Sequence, residues 1–165
     1  MKYGVDLILI EARNQPTRVL SGECGDVYAA TLQAAGSFDK TGGVVRNAPL
    51  WGGVLSRNSK EFGFRYLFTG ISENFLARSG FISRPGVVHA SVDHRLTRFG
   101  ERGDLLESLT GDFLLDDQWQ YAHFFRQGDA QDKKMHFSAN AGLRGGWNVG
   151  AGFYLETFGF DAGGF

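Results

Sequence analysis

One cysteine, Cys24, stands in 165 residues, so neither an internal disulfide framework nor a thiolate metal cluster can be built from this chain. Proline is almost as scarce, at 3 residues, which removes Pro-rich spacers. A surplus of either charge is also missing. The 17 basic residues balance 18 acidic ones, whereas a phosphate-binding surface needs a basic excess, so no nucleic-acid partner is expected. Long apolar runs are absent. The run from Val5 to Ile10 is broken by Asp6 and followed by Glu11 and Arg13. It falls well short of the roughly 20 residues of a membrane-spanning helix and lacks a leader's cleavage site. The expectation is either a cytosolic protein or a piece of something whose leader lies upstream. Helical periodicity is almost absent.

Glycine is plentiful at 24 residues, and aromatics make up 14%, led by 15 Phe. Above all there is alternation with period 2. From His136 to Arg144, Phe137, Ala139, Ala141 and Leu143 share one side, and His136, Ser138, Asn140 and Arg144 the other. Gly145-Gly146 then reads as a turn, and Trp147, Val149, Ala151, Phe153 and Leu155 resume the pattern, which predicts a hairpin. Val88, Ala90, Val92 and Leu96 alternate with His89, Ser91, Asp93 and Arg95. Phe62, Phe64, Tyr66 and Phe68 share a side opposite Arg65, and 26–38 and 50–57 read as further strands. Asp116-Asp117 reads as a turn leading into a strand over 118–126, with Trp119, Tyr121 and Phe125 on one face. The whole predicts an all-β, antiparallel up-and-down meander of roughly nine or ten strands. Strands of soluble proteins average about 5 to 6 residues, and a tilted membrane-spanning strand needs about 9 to 11. Several segments here have the longer length, as an outer-membrane-type β-barrel or part of one requires.

More specific patterns occur between Lys60 and Asp161. They include Gly-Ile-Ser-x-x-Phe at Gly70 to Phe75, Ser-Gly-Phe-Ile-x-Arg at Ser79 to Arg84, and the run from Asp132 to Asp161. These stretches resemble the C-terminal barrel region of large bacterial outer-membrane proteins that carry a family-nine carbohydrate-binding-like domain ahead of it. The resemblance spans about 26–161 and leaves 1–25 as the part that fits least. Family members are several times longer, so it implies that 1–165 is a single barrel region and a fragment of a larger protein. It also implies location in the bacterial outer membrane, membrane lipid and the rest of the parent barrel as partners, and a glycan by family association.

No constellation suited to catalysis emerges. His89 and Asp93 share a strand face, but residues i and i+4 lie about 13 Å apart, too far to share one metal ion. A polar wall in which His, Arg and carboxylates satisfy one another is the simpler expectation. His94 points the other way, and His123 and His136 lie on other segments. Asp112, Asp116 and Asp117 could suggest a glycosidase pair, yet Asp at a turn bonds nearby amides without any such role. Gly52-Gly53 and Gly150-x-Gly152 do not lead from strand into helix, so they form no phosphate loop. Cys24 has no histidine beside it to lower its pKa.

The expectation is therefore a non-enzymatic, cofactor-free barrel wall with a structural or transport-related role. His89, Ser91, Asp93, Arg95, Ser138, Asn140 and Arg144 would face the lumen, and Val88, Ala90, Val92, Phe137, Ala139, Leu143, Val149, Ala151, Phe153 and Leu155 would face lipid. The rival is a soluble β-barrel or sandwich that turns the Phe-bearing faces inward to bind a small apolar or carbohydrate ligand.

Overall fold

The computed structural model describes residues 4–13, 26–41, 44–75 and 84–159. Alternating β-branched and aromatic residues form eight strands: β1 (Gly4–Arg13), β2 (Val27–Thr41), β3 (Val44–Asn58), β4 (Phe62–Ile71), β5 (Val87–Phe99), β6 (Leu106–Gln120), β7 (Asp132–Leu143) and β8 (Trp147–Phe158). They make one antiparallel sheet in sequence order, so each strand pairs with its neighbours in the chain. The all-β meander expected from the alternation is the architecture observed. Among the described residues, no ladder joins β8 to β1. The motif Ser79 to Arg84 falls largely, and Cys24 wholly, outside the described residues.

Eight described strands replace the nine or ten expected, because several are longer than the pattern suggested, reaching 15 residues in β2, β3 and β6. The Asp116-Asp117 turn does not form. β6 runs through both residues to Gln120: their backbones pair with β5 on one side and with β7 on the other, where Asp116 stands opposite Lys134 and Asp117 opposite Lys133. The Asp116 carboxylate meets His89 of β5, a long-range partner that competes with a fold back onto its own amides. The expected strand over 118–126 is also corrected, because a single helical turn, α1 (Tyr121–Phe124), follows β6. Gly145 and Gly146 do make the β7–β8 turn, with φ of 90° and 81°, values at which a side chain would be strained.

Among the described residues the sheet has no second layer and almost no core. Ala48, Phe75 and Val88 are the buried hydrophobic residues among those described. Total accessible surface is 12217 Å², whereas a compact monomer of this mass exposes about 8,100 Å². Val88 is covered because α1 folds back: Phe124 packs its ring 5.7 Å from Phe68 and 5.4 Å from Trp119, which stands beside Val88 in the β5–β6 ladder. On the same side the Trp51 ring lies tilted against Phe68, with centroids 4.8 Å apart, and crosses Gly70.

One straight row crosses all eight strands: Ala12, Ala30, Leu55, Tyr66, Val92, Leu115, Met135 and Leu155. Measured from it, β3 extends eleven residues back to Val44 and three on to Asn58. β8 extends three on to Phe158 and eight back to Trp147. β3 and β8 run in opposite directions, so β3 reaches far towards one end of the sheet and β8 towards the other. The strands are thus displaced by about one residue per strand, as strands inclined by about 35° to a common axis would be.

A side chain at Gly70 must displace the Trp51 ring, whereas one at Gly111 meets nothing closer than the Ser138 carbonyl oxygen at 3.9 Å. Gly70→Val is therefore expected to lower stability by about 1–3 kcal/mol and Gly111→Val to leave it nearly unchanged, as read from urea midpoints of the refolded protein.

Candidate functional site

Directly paired residues in an antiparallel ladder point to the same side of the sheet, so the register sorts every strand into two faces. On the first lie Tyr28, Ala30 and Leu32 of β2, Trp51 and Leu55 of β3, and Phe62, Phe64, Tyr66 and Phe68 of β4. Val88, Ala90, Val92 and Leu96 of β5, Phe113, Leu115 and Trp119 of β6, Phe137, Ala139 and Leu143 of β7, and Trp147, Val149, Ala151, Phe153 and Leu155 of β8 continue it. Every residue expected to face lipid falls on this side. Much of it is open: Leu32, Leu55, Phe68, Phe137, Val149, Phe153 and Leu155 are all exposed. A shallow apolar depression of roughly 890 Å³ runs over Gly53 between Leu32, Trp51, Leu55 and Phe68.

Polar atoms on the apolar face are matched or sit near its ends. His94 lies there, as its alternation with Asp93 and Arg95 indicated, and its Nε2 is 2.7 Å from the Tyr66 hydroxyl. Arg57, at the end where β3 turns into β4, donates from Nη2 to Asp26 at 2.5 Å. Its guanidinium also stands 5.7 Å from the Tyr28 ring and 5.6 Å from the Phe62 ring. Hydrogen bonds from the Ser59 side chain and from Arg57 hold the Asp26 carboxyl below the ordinary aspartate value of 3.8. Asp117 and Lys133 face each other in the ladder towards the opposite end.

The second face is polar. His89, Ser91, Asp93 and Arg95 of β5 and Ser138 and Asn140 of β7 lie on it together, as the alternation predicted. Arg144 does not. It occupies the β7–β8 turn, where its Nη1 donates to the Gly103 carbonyl at 3.1 Å and its backbone N–H to Leu105 at 2.9 Å. The pair suggested along β5 is replaced by pairs between strands. His89 Nε2 meets Asp116 of β6 at 2.6 Å, Arg95 donates to Asp112 at 3.1 Å, and the Thr97 and Thr110 hydroxyls stand 3.0 Å apart. His136 Nε2 meets Glu156 at 2.6 Å, and its ring makes an edge contact with Tyr154 at 4.8 Å. The sequence pattern assigns Glu156 no role and Asp116 only a turn, because alternation gives the face of a residue but not its neighbour on the next strand.

The polar face thus carries a network of cross-strand ion pairs and hydroxyl contacts. No hydrogen bond or ion pair engages the Arg65 guanidinium or the Asp93 carboxylate among the described residues, although the two are register partners. A small polar depression of roughly 210 Å³ lies between Ser56, Arg65, Asp93 and Arg95. Among the described residues, no three His, Cys, Asp or Glu side chains are grouped to hold a metal ion, and no helix is long and apolar enough to cross a membrane.

The His89–Asp116 pair is about a quarter exposed, and the Arg95–Asp112 pair about half. Double-mutant cycles with His89→Gln and Asp116→Asn, and with Arg95→Gln and Asp112→Asn, are expected to give the larger coupling for the first pair. The second is expected to fall within about 0.2–1 kcal/mol, as exposed pairs do.

Comparison with protein-family models, with curated proteins and with solved structures gives no match.

Proposed function

We propose that this chain is a wall segment of an outer-membrane-type antiparallel β-barrel, non-enzymatic within these residues, with a structural or transport-related role. Its apolar face lies against lipid acyl chains and its polar face lines an aqueous lumen. The location is the bacterial outer membrane, and the partners are lipid and any further barrel strands of a parent protein. A glycan partner follows from the family resemblance alone.

The observation that carries this proposal is the continuous, uncovered apolar face. A single-layer sheet that leaves this many large side chains open in water forgoes the main driving force for folding. Lipid supplies the missing apolar surroundings without a second protein layer. Strand lengths of 10 to 15 residues agree with a tilted span. Aromatics stand at both ends of the face, Tyr28, Phe62 and Trp147 at one and Trp119, Tyr121 and Phe124 at the other, as side chains at the headgroup level do, with Trp51, Tyr66, Phe113, Phe137 and Phe153 between them.

The hand of the stagger separates this proposal from the soluble alternative. Thr97 of β5 donates its backbone N–H towards β4, to Glu61 at 2.6 Å, and Gly100 donates towards β6, to Glu107 at 3.0 Å. For L-residues these directions place β4 to the left of β5 and β6 to its right, seen from the apolar side with β5 running upward. The same view shows the strands displaced progressively upward from β1 to β8. Rolled with the apolar face outside, such a sheet has strands leaning to the right, the sense that right-handed strand twist imposes on barrels. Rolled with that face inside, as a soluble barrel binding an apolar or carbohydrate ligand requires, the strands would lean the unfavourable way.

The test is to refold residues 1 to 165 with and without detergent and compare circular dichroism with cold and boiled gel mobility. A β spectrum that requires detergent, with heat-dependent mobility, is expected. A sharp monomer with a β spectrum in plain buffer would overturn the proposal. In detergent, Val92→Arg on the central apolar row is expected to cost about 2–4 kcal/mol, and Ser91→Arg on the adjacent polar position far less, as measured by denaturant unfolding.

A further inference from the structure

Among the described residues the outer strands β1 and β8 each pair on one side only, leaving a row of amide and carbonyl groups with no ladder partner there. Gly159 donates to Gln131 at 2.5 Å, so the odd residues of β8 bond to β7, and the even ones, including Asn148, Gly150 and Gly152, direct their backbone groups to the free edge. In lipid such an edge is very costly. We infer that the free edge of β8 takes β1 of the same chain as its partner, in place of further barrel strands of a parent protein, closing the sheet into an eight-stranded barrel with β1 shifted by eight residues relative to the straight row. The cost of the open edge rests on the lipid-facing role proposed above.

Three features of the sheet support this register. The strand number is even, so β1 and β8 run antiparallel, as an up-and-down closure needs. The stagger of about one residue per strand accumulates to a shift of about eight over an eight-stranded circuit, the shear at which eight strands close with a tilt of about 36°. Without a shift, Leu155 stands level with Ala12, and the overlap of β8 with β1 is short. A slide of eight in the sense of the stagger sets Trp147 opposite Ala12 and Leu155 opposite Gly4, which uses nearly the whole of both strands. It also preserves the alternation, because an even shift keeps the apolar face of β8 in line with the corresponding positions of β1. The positions of Leu9 and Leu7 come opposite Gly150 and Gly152.

The polar face suits a narrow interior. Gly52, Gly63, Gly142, Gly150 and Gly152 lie on it among serines and threonines, and an eight-stranded barrel leaves space only for side chains. Arg65 and Asp93, unengaged on the flat sheet, would then find groups facing them across the interior.

The experiment uses the full chain with Cys24→Ser, carrying Ile8→Cys with Ala151→Cys, refolded in detergent micelles and oxidised with copper phenanthroline. Positions 8 and 151 form a non-hydrogen-bonded pair in the inferred register, the geometry in which cross-strand cysteines come within disulfide range. An intramolecular disulfide is expected, seen as a faster monomer band without reductant and as a linked peptide pair by mass spectrometry. The amides of Gly150 and Gly152 in the unsubstituted chain are expected to be protected from hydrogen exchange, a readout independent of the cysteines. A disulfide-linked dimer, preferential linkage through Val149→Cys, fast exchange at Gly150 and Gly152, or aggregation of the unsubstituted chain in detergent would each overturn the closure. Linkage and protection obtained in plain buffer would uphold the closure while removing the lipid-facing role. A β spectrum that requires detergent, without linkage or protection, would do the reverse.

Discussion

The structure depends on one constraint, the locking of period-2 alternation by cross-strand register. Each strand separates apolar from polar residues, but that separation becomes a surface only if every ladder pairs apolar with apolar. The row from Ala30 through Leu55, Tyr66, Val92, Leu115 and Met135 to Leu155 shows that it does so across the sheet. A slip of one residue at any ladder would reverse the faces of all strands beyond it. The single irregularity recorded in these ladders, between Leu106 and Ser108 near the start of β6, lies at the end of its strand and leaves the central rows in phase.

From this constraint follows a sheet with two chemistries and, among the described residues, almost no interior. Alternation collects apolar area on one side faster than the single turn of α1 can cover it, so the hydrophobic cluster of Val88, Phe68, Trp119 and Phe124 stays local. The polar side compensates its charges within itself, through His89 with Asp116, Arg95 with Asp112 and His136 with Glu156, each joining adjacent strands. These contacts add to the backbone ladders and do not replace a core.

The faces of His89, Ser91, Asp93, Arg95, Ser138 and Asn140, and of the apolar residues from Val88 to Leu155, were legible in the sequence because a strand's side-chain period is fixed by backbone geometry alone. The β7–β8 turn was legible for a similar reason: two adjacent glycines tolerate positive φ where other residues do not. Local signals failed where long-range partners decided the outcome. Asp116 and Asp117 have the composition of a turn, yet the ladders to β5 and β7 keep β6 extended. Arg144 continues the alternation of β7 on paper but belongs to the turn, where the Gly103 carbonyl holds it.

By itself, then, the sequence determined the extended character of the chain, the antiparallel order and the separation of apolar from polar positions, since all three arise from short-range sterics and the spacing of side chains along one strand. Only the tertiary structure decided which carboxylate meets which histidine or arginine, and where β6 gives way to α1, because these depend on the register of strands that are distant in sequence. It alone also decided the stagger of the strands, which accumulates over the eight described strands and which no single strand contains.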